Sequence, residues 1–104
     1  MANGRVIDVH AHVTPQRFQR VVLGGDDWHG MTAADGELDN LPNRWLPERR
    51  IEEMDAIGVD VQVVSPTDVF YQYDRDPETT ATIARECNEE IAEMVRDHPD
   101  RFMG

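Results

Sequence analysis

The chain has 104 residues, 39% of them hydrophobic, enough for one small domain. Acids outnumber Lys plus Arg by 21 to 10, for a formal charge of −11. Such a surface repels phosphate backbones and anionic bilayers, which argues against nucleic-acid and membrane partners but leaves room for a carboxylated small molecule met by one placed arginine.

The N-terminus lacks a basic segment followed by an apolar core, and no run of ~18 apolar residues could span a bilayer. The single Cys87 rules out an internal disulfide and fits a reducing compartment. A cytoplasmic protein is expected.

"RVIDVHAHV", residues 5–13, reads as the first strand. Simple alternation places Ile7, Val9 and Ala11 on one face and Val6, Asp8, His10 and His12 on the other. Thr14-Pro15 ends it. Residues 14–46 form a long connection rich in Gly, Asp, Asn and Pro, in which Gln16–Leu23 predicts a short helix. Connections of this length usually carry function or are disordered, and Trp28, Met31, Leu38, Leu41 and Trp45 predict one that packs down. A helix follows over Pro47–Ile57, started by Pro47, striped by Ile51, Met54 and Ile57, and stopped by Gly58.

Val59–Ser65 is the second strand, too continuously aliphatic for a half-exposed one, which suggests burial on both faces of a parallel sheet. Pro66 stops it, and the loop Thr67–Arg75 carries Phe70, Tyr71 and Tyr73. The second long helix has Asp76 as N-cap, Pro77 at its first turn and an apolar stripe of Ala84, Cys87, Ile91, Met94 and Val95. Glu86, Glu89, Glu90 and Glu93 read as its solvated face, and His98-Pro99-Asp100 closes it. Arg101–Gly104 looks like the start of a third strand.

The order β-α-β-α-(β) is that of parallel α/β proteins. Two strands and a fragment cannot enclose a core, whereas a TIM barrel needs eight βα units and ~250 residues. The expectation is therefore the N-terminal portion of such a barrel, either as part of a longer chain or completed by a second polypeptide.

His10 and His12 are the sharpest chemical feature. Residues two apart on a strand point the same way, and imidazole is the commonest zinc ligand. Both lie toward the C-terminal end of the first strand, the side on which barrel enzymes build their sites. Asp8, on the same predicted face, would orient a ligand.

Together "IDVHAHVTPQRF", "RRIEEMDAIGVDVQVVSPTDVFYQY" and "CNEEIAEMVRDHPDRFMG" resemble the amidohydrolase superfamily, in the amidohydrolase-2 branch that holds the 2-amino-3-carboxymuconate-semialdehyde decarboxylases. The likeness covers all but about residues 21–43. It implies a metal-dependent barrel in which His10 and His12 bind a divalent ion, typically zinc, with a later histidine and aspartate completing the set. It also implies a loop arginine that holds a substrate carboxylate; that position falls near Leu38, and Arg44 is the nearest arginine. The activity implied is hydrolysis or decarboxylation of a small carboxylated or cyclic substrate, by a homo-oligomer in the full-length form.

Ser65, Thr67 and Phe70, after the second strand, are candidates to line a substrate pocket. His29 reads as a surface residue, His98 as structural and Cys87 as a buried thiol. The rival to an enzyme, alone or split, is a non-catalytic barrel piece that serves as an assembly module.

Overall fold

The structure, a computed structural model, describes residues 4–104. Three strands, β1 (Ile7–Val13), β2 (Val61–Pro66) and β3 (Phe102–Met103), lie parallel in the order β1-β2-β3. Parallel neighbours cannot be joined by tight turns, so each crossover carries a helix. The first holds α1 (Gln16–Leu23), α2 (Leu41–Arg44) and α3 (Pro47–Ile57), and the second holds α4 (Pro77–Asp97). The α/β class and the parallel sheet match the expectation. Among the described residues no helix is long and apolar enough to cross a membrane.

Helix ends follow local chemistry. In α4, Thr79 donates its backbone N–H to Asp76 Oδ1 at 2.9 Å and its hydroxyl to Oδ2 at 2.7 Å. The backbone bond from Thr79, before any other cause, holds the Asp76 carboxyl below its usual range. Gly58 ends α3 with φ 79°, a left-handed conformation that glycine adopts without strain.

The sheet packs on α3 and α4 through Val13, Met54, Val64, Ile91 and Phe102. A second core lies outside that layer. Phe18 and Val22 of α1 meet Trp28, Met31, Phe70, Ile83 and Cys87. Phe18 packs edge-on against Trp28 at 5.9 Å and Phe70 at 5.0 Å between ring centroids. The long connection thus packs down as expected, over the first half of α4. Gly36 is enclosed here, and a Cβ at that position would overlap the Phe18 ring.

Several expectations are corrected. Leu41 and Ile57 are exposed, because α2 is a single turn on the surface and α3 turns its last residue outward. Ile83, not Ala84, occupies the inner stripe of α4. The glutamates of α4 are not merely solvated. Arg17 reaches Glu89 at 2.7 Å with Glu86, Glu90 and Glu93 at 3.9 Å, and Glu90 accepts the Gln16 and Arg17 backbone N–H groups at 2.7 and 3.0 Å. An anion at the start of α1 satisfies its free amides and suits its dipole. Burial of β2 on both faces is met in part, since Val61 and Val64, which point to opposite faces, are each 3% exposed and Val63 is half-buried, whereas in β1 Val9 is 76% exposed and Ile7 is exposed beside it.

Candidate metal site

Residue pairing decides which side chains share a face. Ile7 and Asp8 lie beside Val61 and Gln62, but Ala11, His12 and Val13 lie beside Val64, Ser65 and Pro66. The offset changes by one between Asp8 and Ala11, so β1 carries one extra residue there and its alternation is reset. Asp8 therefore shares the helix-facing side with Gln62 and Val64, while His12 shares the opposite side with Ser65. The expectation that Asp8 stands on the face of His12 is corrected by this irregularity. Its carboxylate Oδ1 accepts the His10 backbone N–H at 3.0 Å.

The two histidine rings converge. Their Nε2 atoms are 3.0 Å apart, with ring centroids 4.8 Å apart and planes near perpendicular at 85°. His12 Nδ1 lies 3.2 Å from Ser65 Oγ. An Nδ1–H donated to that hydroxyl leaves the His12 Nε2 lone pair free, which is the tautomer a ligand needs. Zinc–imidazole bonds are about 2.0–2.1 Å, so nitrogens at this separation can both reach one ion. Without an ion, an N–H of His10 satisfies the same spacing as a hydrogen bond. The residues present fit two ligands of a divalent cation. Among the described residues, no group of three or more His, Cys, Asp or Glu side chains is placed to hold one.

Behind the pair stands Arg50, which sequence reasoning missed. Its guanidinium is buried, with the residue 5% exposed, and donates to His12 O at 2.5 Å, Gln62 Oε1 at 2.9 Å, Pro42 O at 3.2 Å and Asn43 O at 3.3 Å. Burial lowers its pKa to about 10, opposed by the negative charge of Asp8, so it remains a cation at neutral pH. One signal was present: Arg50 lies four residues before Met54, on the buried stripe of α3.

The histidines, Asp8, Arg50 and Gln62 line a cavity of about 270 Å³. A larger one of about 340 Å³ between α1 and α4 contains Cys87 and Glu90 but no histidine. Burial, ahead of the nearby Glu90 and Glu86 charges, pushes the Cys87 thiol up to about 12, so no thiolate nucleophile stands there. The smaller cavity is the one that holds the histidine pair.

The remaining sequence candidates divide. Ser65 is brought to His12. Thr67 is buried with a hydroxyl that has no hydrogen-bond partner. Phe70, expected to line a cleft, is instead 2% exposed inside the aromatic core, where Phe18 and Trp28 cover it. Arg44 is occupied within its own loop, donating to Gln19 Oε1 and Leu38 O at 3.0 Å each. His29 is half-buried, its ring against the Glu86 carboxylate rather than at the surface. His98 packs edge-on against Phe102, a structural role as expected.

The amidohydrolase family model matches residues 7–104. The 2-amino-3-carboxymuconate-6-semialdehyde decarboxylase of Dictyostelium discoideum is 33% identical, the match covering 94% of this chain and 31% of that protein. Its counterpart from Caenorhabditis elegans is 31% identical over 98% of this chain and 29% of its own length. The chain thus spans about a third of the length of the curated relatives it matches. Among solved structures, a 5-carboxyvanillate decarboxylase from Novosphingobium aromaticivorans, complexed with manganese, superposes with a TM-score of 0.71 at 22% identity, covering 98% of this chain and 33% of that one. A family match that begins at Ile7 and takes in the histidine strand, both crossovers and β3 leaves one conclusion: the chain belongs to the amidohydrolase family.

Proposed function

We propose that residues 1–104 are the N-terminal part of one (β/α)8 barrel domain in a metal-dependent decarboxylase acting on a small carboxylated molecule. His10 and His12 are two ligands of its divalent ion, zinc in first place because imidazole nitrogens suit it. The observation that carries this reading is the 3.0 Å approach of the two Nε2 atoms. The decarboxylase relatives support the reaction class, and the parallel β1-β2-β3 order supports the barrel.

Catalytic zinc sites keep three protein ligands, so the remaining ones come from strands beyond β3, on the same polypeptide or a second one. A divalent ion held there supplies a Lewis acid for the negative charge that develops as CO2 leaves. Ser65 holds His12 in the tautomer that offers Nε2. Thr67, in the segment directly after β2, stays a candidate to meet substrate by its position, although its unpartnered hydroxyl is buried in the structure. The complete enzyme works as a homo-oligomer in the reducing cytosol, where Cys87 stays a thiol.

Calorimetric titration of the chain with Zn2+ tests the reading, with Mn2+ as the competing ion. One ion should bind per chain, and His10→Ala or His12→Ala should weaken it by at least about tenfold. Undiminished binding in the double variant would refute the assignment.

A further inference from the structure

The histidine rings are placed by their backbone, and that backbone is gripped from outside the sheet. Most strand carbonyls are satisfied by a neighbouring strand, which fixes them only as well as the sheet itself is fixed. The His12 carbonyl instead has a partner in the Arg50 guanidinium at 2.5 Å. This is a charge-assisted bond, shorter and stronger than a neutral one. The same terminal nitrogen reaches Pro42 O and Asn43 O, and the other holds the side chain of Gln62, the β2 neighbour of Asp8. One planar, rigid cation therefore ties α3, the 42–43 segment, β2 and the residue bearing the second imidazole together.

The first imidazole has a matching hold. Asp8 Oδ1 accepts the His10 amide at 3.0 Å, across the point where β1 carries its extra residue. A bulged strand lacks ladder bonds at the bulge, so its local shape depends on such side-chain contacts. The direction in which His10 leaves the strand is set there.

We propose that Arg50, assisted by Asp8, is a positioning residue for the metal site: it fixes the backbone at both histidines and so sets the separation of their Nε2 atoms. It touches neither ion nor substrate. The inference rests on His10 and His12 being ligands. Arginine is required because a lysine ammonium is a point donor, unable to span a strand carbonyl, a side-chain amide and two loop carbonyls at once.

The test is Zn2+ titration of the 104-residue chain and its variants, each well below its own melting temperature, with folding checked by circular dichroism. Arg50→Lys should keep the fold yet bind Zn2+ roughly tenfold or more weakly, as expected for residues behind a ligand. Asp8→Asn, which keeps an acceptor but loses the charge, should lose less. A merely structural arginine would lower the melting temperature and leave the affinity of the folded chain unchanged. Unchanged affinity in folded Arg50→Lys, with binding lost in His10→Ala, overturns the positioning role and spares the metal reading. Absence of Zn2+ binding both by the parent chain and by the complete barrel that contains it overturns the metal reading itself, and the positioning role with it. If Arg50→Lys does not fold, Gln62→Met and Asp8→Ala decide: unchanged affinity in both overturns the proposal, and a loss in either supports it.

Discussion

Two regions of this small molecule are built by opposite means. Around Phe18 the long connection, α1 and the first half of α4 make a closed aromatic cluster, with Phe18 and Ile83 fully buried. Around His12, Val9 and Ile7 of β1 are exposed, and order comes from polar clamps. The segment that looks least structured in sequence thus has the best-packed core, while the strand with the chemistry is the thinner part. Apolar packing makes the scaffold, and hydrogen-bonded charges aim the site.

Substitutions sharpen that contrast because equal chemical changes should have unequal effects. The largest expected loss is in the aromatic cluster: Phe18→Ala should cost about 3–5 kcal/mol in urea unfolding, the usual range for a buried Phe. A loss below 1 kcal/mol would show the cluster to be loosely packed. Next comes Gly36→Ala, where the added methyl meets the Phe18 ring; overpacking of this kind costs about 1–3 kcal/mol, seen as a lower urea midpoint at unchanged slope. Smallest is Val9→Thr on the exposed strand, expected within about 0.5 kcal/mol of the parent. A large loss there would mean that a partner covers β1.

Cys87 reports on the same contrast through pH. Its thiol is raised from 9.0 to about 12 in the fold, so the native state holds its proton more tightly than the unfolded chain. Below about pH 9 both states are protonated and this contribution is complete; it is lost as pH rises from 9 toward 12. Stability in that window should fall in the parent and less in Cys87→Ala. Alkylation at pH 8 should be slow in the parent and fast in Phe18→Ala, which opens the cluster.

Much of this was legible in the chain. Asp76-Pro77 marks the start of α4, Gly58 ends α3, and the aliphatic run before Pro66 announces a parallel strand; each signal is local and acts where it stands. The aromatic cluster was less legible because Phe18, Trp28, Phe70 and Ile83 meet across long separations without period, so Phe70 reads as a loop ring. At the site, the histidine pair is plain, yet one extra residue in β1 moves Asp8 to the other face, and no residue type announces such an irregularity. Arg50 escaped for a related reason: a charged side chain on a buried stripe reads as an exposed one until its acceptors, spread over residues 12–62, are seen together.

The central claim is that His10 and His12 hold one ion jointly. Long-range 1H–15N spectra of the histidine rings during a Zn2+ titration test it residue by residue. Nε2 of His10 and His12 should shift together and saturate at one equivalent, while the rings of His29 and His98 stay in place. A shift of one ring of the pair alone, or of His29 in their stead, would contradict the account.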